Sequence, residues 1–278
     1  MKTMLGVTID NPWKNFSYSR DKENVIDMDK PFVQAYKNYI KCKWGRKRKY
    51  KDNAIHLEIC PEPFIGSPDA SIYLLGGNPG YDGKDHECNS DESLYIQLMS
   101  KTLIHECDFL FFRKELKEHK GNKWWMTHVK ENLLRNNIFN IEYFPYHSHK
   151  ADGLKSFLNH IRTKKLSLTC GSNEYANWLI KKAIESNKII IITRLRNFWL
   201  ERIKALREYS NSYILLDAQT ARINEGNIVK FSDFCKLKTA SWKEINDKIT
   251  KKKINNYETK TFYSIARCSS KHRNDLCL

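Results

Sequence analysis

Ser71–Gly83 reads SIYLLGGNPGYDG, an apolar run that stops abruptly on Gly-Gly-Asn-Pro-Gly. Ile72, Tyr73, Leu74 and Leu75 are continuous apolar residues bounded by turn formers, the pattern of a strand buried in a parallel sheet. Gly76, Gly77 and Gly80, with Pro79 among them, force a tight loop whose backbone can approach a ligand closely. In an open α/β sheet, ligands bind outside the carboxyl ends of the strands. A single polar side chain, Asn78, stands in the middle of this loop, and its purpose is the first question the chain poses.

Outward from that loop, apolar runs recur at Ile138–Phe144, Lys188–Thr193 and Ser212–Leu216. Between them lie stretches with helical spacing: Leu94–His105, Lys123–Arg135, Gly153–Ile161, Glu174–Ser186 and Phe198–Tyr209. Strands alternating with helices in this way predict an α/β fold, a four-stranded parallel sheet flanked by helices on both faces. Residues 1–60 read as polar and irregular. The expected division is a basic N-terminal extension over 1–63 packed on the core, an α/β domain over 64–240, and a basic C-terminal extension over 241–278 that carries Lys251-Lys252-Lys253.

Composition narrows the class of partner. The 278 residues are 41% hydrophobic and 12% aromatic, enough for a folded core. Lys and Arg number 48 against 32 Asp and Glu, a formal net charge of +16. Such a surface suits a polyanion, most often nucleic acid, with a merely basic soluble protein as the alternative. The densest run is Lys41–Lys51, KCKWGRKRKYK, in which seven of eleven residues are basic and none acidic. Trp44 and Tyr50 sit among these cations, and stacking rings beside phosphate-binding charges are what nucleic-acid contact requires.

The eight cysteines are scattered without a CxxC pair, which predicts free thiols in a reducing compartment rather than a disulfide scaffold. The opening MKTMLGVTIDNPW has too short an apolar stretch for a secretory signal, and no run approaches transmembrane length. A cytoplasmic monomer that engages nucleic acid and not membranes is expected.

The loops at the sheet's carboxyl edge carry the chemistry. A Walker A loop needs Gly-Lys-Ser/Thr, whereas Gly83-Lys84 precedes Asp85, and no GxGxxG fingerprint is present. Pro145 cannot continue a central strand, so Tyr146 and His147 should emerge beside Asn78. His147 and His149 lack a third ligand, so no metal and no cofactor is expected. Glu142 lies on the strand itself; if the pocket desolvates it, its pKa rises into the range useful to a general acid. Arg194 and Arg196 follow the third strand at the mouth of the sheet and suit phosphate contacts, a surface salt bridge being the alternative. The polar loop Asp217–Asn227 forms the last wall.

Gly76-Gly77-Asn78-Pro79-Gly80, at the end of a first strand, resembles the G-x-N-P-G first motif of the uracil-DNA glycosylase superfamily. The resemblance covers roughly residues 64–234. It implies a parallel sheet flanked by helices and an enzyme that removes a flipped base from DNA to leave an abasic site, in repair or defence. It implies that Asn78 positions the water that attacks C1′ of the sugar. The family's second motif, His-Pro-Ser with a wedge, has no clear counterpart; the matching place is Ala218-Gln219-Thr220-Ala221-Arg222. Asn78 can orient water but cannot take a proton, so the enzyme should be slower, or act on a base that leaves more readily, unless a nearby acid or base helps; the candidates are His147 first, then Glu142 or Asp82.

The resemblance further implies a base pocket from Gly77, Pro79, Gly80, Tyr81, Glu142, Tyr146 and Ser148. DNA contacts fall to Lys43, Arg46, Lys47, Arg48, Arg194, Arg196, Gln219, Thr220 and Arg222. In the uracil-specific branch a tyrosine at the place of Gly80 crowds C5 of the pyrimidine. Glycine leaves that space empty, so a C5-modified pyrimidine, such as a hypermodified cytosine of viral DNA, is the expected substrate, with uracil beside it. Two other readings stay open: an inert nucleic-acid-binding module of this fold, and a hydrolase of small nucleosides or nucleotides.

Overall fold

The computed structural model describes residues 8–45, 47–83, 93–129, 137–216, 222–223 and 227–232. The chain separates into two compact units, Met1–Lys230 and Phe231–Leu278, and the first contains every feature discussed below.

Four apolar tetrapeptides make the middle of its sheet: β2 (Ile72–Leu75), β3 (Ile138–Ile141), β4 (Ile189–Ile192) and β5 (Ser212–Leu215). They are mutually parallel, and two shorter strands, β1 (Phe64–Ile65) and β6 (Ile228–Lys230), pair antiparallel at the edges. The order is β1-β3-β2-β4-β5-β6. The sheet is therefore six-stranded and mixed, not the four-stranded parallel sheet expected above. Edge strands of two and three residues are too short to show any periodicity in sequence, and one follows the proline-bounded Glu62. Leu74, Leu75, Ile191 and Ile192 are all buried. Neighbouring residues in a strand face opposite ways, so both faces of the sheet are covered.

Register positions the loops. Leu75 pairs with Ile141 on one side and Ile192 on the other, so β2, β3 and β4 end at one level. The chain moves from β2 to β3, then returns past β2 to β4, which makes β2 the point where the winding reverses. Crevices form at such reversals. The three loops that follow these strands are the ones singled out by the sequence.

The described part of the segment before β1 is irregular only in part. Helices α1 (Lys30–Trp44) and α2 (Arg48–Asn53) form there. Phe32, Val33, Tyr36 and Ile40 are the buried stripe of α1, hidden in sequence among lysines. Phe32 packs on Phe144 and Phe157 at ring-centroid distances of 5.6 and 5.3 Å. Five further helices complete the described set: α3 (Leu94–Leu103), α4 (Lys120–His128), α5 (Asp152–Lys164), α6 (Asn173–Glu185) and α7 (Arg196–Arg202). Leu154, Phe157 and Leu158 are the inward stripe of α5, which stops at left-handed Lys165.

Gly66, just after β1, has φ +100°, and a Cβ there would lie 2.6 Å from the carbonyl oxygen of Ile138. Neither fault can relax without moving β3. Gly66→Ala is expected to destabilise the fold by about 2 kcal/mol, read as a lower urea midpoint at unchanged slope.

Candidate functional site

A cavity of about 410 Å³ opens at the carboxyl ends of β2, β3 and β4, a size typical of small-ligand sites. Gly77, Asn78, Pro79, Gly80, Tyr81, Glu142, His147, Ser148 and Arg194 all line it. The Asn-Pro-Gly loop is held on every side. Gly76 N donates to Ile141 O at 2.8 Å, and Trp199 Nε1 donates to Gly76 O at 2.7 Å. Phe144 N donates to Gly77 O at 2.9 Å, and Tyr81 N to Ser148 O at 3.1 Å.

Asn78 is oriented by two acceptors. Its Nδ2 donates to Pro79 O at 3.0 Å and to Ser148 Oγ at 2.9 Å. A carbonyl can only accept, so the amide cannot be flipped without opposing two acceptors. Both donors are thus spent within the loop wall, and Oδ1 is the hydrogen-bonding atom left to a ligand or water. Beside it, nothing lies within 4 Å of where a Cβ on Gly80 would stand.

Glu142 forms the cavity floor. Its Oε1 accepts from Asn140 Nδ2 at 2.8 Å, while Oε2 is buried without a hydrogen-bond partner. The carboxyl lies against the Cα of Gly76, and any side chain at 76 would occupy its place. Burial pushes the Glu142 pKa up to about 7; the Asn140 amide opposes this, the Glu62 carboxylate adds to it, and Arg194 and the Gly77 N–H oppose it. The expected desolvation of Glu142 is therefore realised.

His147 is placed in the wall but not as a base. Its Nδ1 faces Gly80 O at 2.7 Å and its Nε2 faces Cys60 O at 2.9 Å. Both ring nitrogens lie against carbonyl oxygens of the wall, so neither is directed at a ligand. The ring fastens the Gly80 loop to the segment before β1. Glu62 lies 3.8 Å from the same Nε2, and its Oε1 accepts from Tyr95 OH at 2.7 Å. Asp82 is held across the cavity mouth by an ion pair with Lys120 of α4.

Tyr146 does not belong to the pocket. It is 1% exposed, and its hydroxyl donates to Asp29 Oδ2 at 2.9 Å. Pro145 turns the chain so that Tyr146 points into the core against Trp13 and Phe144. Its neighbour His147 consequently takes the cavity side.

The expected DNA-contacting residues are not brought to one place. Lys47 and Arg48 are exposed at the start of α2, and α2 is tied to the cavity rim. Lys150 N donates to Asp52 O at 2.9 Å, Lys150 Nζ pairs with Asp52 Oδ2 at 2.8 Å, and His56 N donates to His147 O at 3.0 Å. Lys43 instead turns back to Ser156 Oγ and Tyr39 OH. Arg194 lines the cavity, Arg196 opens α7 outside it, and Arg222 is exposed next to Ile223, a lining residue. Arg46, Gln219 and Thr220 lie outside the described residues.

Sequence reasoning missed Glu62, Asn140, Tyr95, Phe111, Trp124 and Trp125, which also line the cavity. Only Asn140 had a local signal, a polar residue inside the apolar β3. Trp124 is 39% exposed at the rim and stacks on His128 at 3.9 Å. Among the described residues no cluster of three or more His, Cys, Asp or Glu is placed to hold a metal ion. None of the described helices is long and apolar enough to cross a membrane. Comparisons of the chain with protein-family models, with curated proteins and with solved structures returned no match.

Proposed function

We propose that this protein is a DNA glycosylase that hydrolyses the N-glycosidic bond of a flipped, C5-modified pyrimidine, such as a hypermodified cytosine of viral DNA, or uracil. One observation carries the reading: Asn78 presents Oδ1 in a cavity at the carboxyl ends of the strands, beside unfilled space over Gly80. An acceptor fixed in this way holds a water by its hydrogen and aims the oxygen at C1′. The free space takes what hangs from C5. Turning a nucleotide out of the helix costs a few kcal/mol, which cations such as Lys47, Arg48 and Arg194 offset at the phosphates.

Duplexes carrying one uracil, hydroxymethylcytosine or glucosylated hydroxymethylcytosine, incubated with the protein and heated in alkali, test this. Breakage at the modified cytosine, and weaker breakage at uracil, is expected. Salt-sensitive binding with no breakage on any duplex would mean an inert DNA-binding module; hydrolysis of free nucleosides alone would mean a small-molecule enzyme.

A further inference from the structure

The second motif of the resembling family, which would soften the charge on the departing base, has no clear counterpart in the sequence, and the described cavity offers other groups for that help. Three carboxyl groups line the cavity: Glu62, Asp82 and Glu142. Asp82 is neutralised by Lys120 at the mouth. Glu62 accepts from Tyr95 OH and lies beside the His147 ring. Glu142 differs from both, because one of its oxygens is buried with nothing to bond.

A buried oxygen without a partner needs an explanation. Asn140 donates to Oε1, which makes Oε1 the acceptor of the pair. A proton on Oε2 then creates an O–H on a side chain that lines the cavity. Gly76 gives this carboxyl its room, two residues before Asn78 on the same loop.

We infer that Glu142 is the general acid of the reaction, donating its Oε2 proton to O2 of the departing pyrimidine or, in a cytosine, to N3; this rests on the glycosylase reading above. As the C1′–N1 bond breaks, its electron pair moves onto the base and spreads to O2 and, in a cytosine, to N3. The Oε2 proton moves to that acceptor, so the base leaves uncharged. The water held by Asn78 forms the new C1′–O bond and sheds one proton to solvent, from which Glu142 is reprotonated. One water is consumed and the acid is regenerated.

The groups that face Glu142 fit this role. Glu62 opposes its ionisation, and Arg194 and the Gly77 N–H favour the anion once the proton has gone. His147 faces Glu62 rather than Glu142. The acid form is the active one, so the rate should fall as pH rises through about 7.

The test compares Glu142→Gln with the wild type on two duplexes, one bearing the preferred substrate base and one bearing 5-formylcytosine, whose electron-poor ring leaves more readily. Glu142→Gln is expected to lose about 10²-fold or more in single-turnover rate on the poorer leaving base and less than about tenfold on the better one. Its rate should also become flat across neutral pH. Asn78→Ala, which disturbs the water, should lose equally on both. Equal losses for Glu142→Gln on both bases, or an unchanged pH profile, overturn the assignment. Affinity for a duplex with an uncleavable 2′-fluoro nucleotide should stay within about threefold of wild type, and a collapse there assigns Glu142 to binding instead. No cleavage by the wild type on any base overturns the glycosylase reading itself.

Discussion

Asn78→Ala is expected to slow base release by about 10²-fold or more while leaving DNA affinity nearly unchanged. The amide is held by Pro79 O and Ser148 Oγ, so Oδ1 is fixed before substrate arrives. Loss of a positioned reactant, or an error of about 1 Å in its place, costs on that order. Alanine leaves the cavity shape intact but removes the acceptor. Ser148→Ala is the control for loop order, because it removes one anchor of the amide and spares Oδ1. A much smaller loss, about tenfold or less, is expected there. Single-turnover rates on the preferred duplex measure both. Equal rates for Asn78→Ala and the wild type would falsify the assignment of the water to Asn78.

The largest effect on stability is expected from a residue far from the cavity in function. Asp29 is fully buried and accepts hydrogen bonds from Tyr146 OH at 2.9 Å, Ser172 N at 2.7 Å and Ser172 Oγ at 2.8 Å. It joins the start of α1, the loop after β3 and the start of α6. Asp29→Ala leaves two hydroxyls and an amide without their acceptor and opens a void. A cost of about 3 kcal/mol or more follows from stranded buried groups. That corresponds to a fall in melting temperature of about 6–12 °C in a chain of this size. Asp29→Asn keeps the volume and one acceptor, and Tyr146 and Ser172 can rotate their hydroxyls to meet its NH₂. It should recover about half the loss. Thermal unfolding followed by circular dichroism decides the matter, and a melting temperature within 1 °C of wild type for Asp29→Ala would rule out a structural part for this carboxylate.

Both variants bear on how the chain encodes its site. The four central strands were readable because each is an apolar tetrapeptide buried on both faces, a pattern that neighbouring elements do not alter. The Gly-Gly-Asn-Pro-Gly loop was readable for a different reason: glycine and proline restrict the backbone wherever they stand. From these two facts alone the cavity could be placed, together with Asn78, Gly80, Ser148, Glu142 and Arg194 in its wall.

Tyr146 and His147 show where such reading stops. Both follow Pro145, and sequence gives no reason to send one inward and the other to the cavity. Packing against Trp13 and the hydroxyl's bond to Asp29 make that choice, and both partners lie more than a hundred residues away. The role of His147 is lost to sequence in the same way, since carbonyls of Gly80 and Cys60 claim its two nitrogens. Glu62 and the aromatic rim from α4 carry no local mark of function.

The sequence by itself determined the parallel centre of the sheet, the loop at its carboxyl edge and the cationic surface, because strand burial, glycine geometry and charge are local properties. Only the tertiary structure decided that the sheet gains antiparallel edges, that helices form over Lys30–Trp44 and Arg48–Asn53 ahead of it, and that Glu142 has a buried oxygen without a hydrogen-bond partner whereas both His147 nitrogens lie against carbonyl oxygens. That last distinction depends on which groups surround a side chain in space: one unpartnered buried oxygen against two nitrogens already engaged.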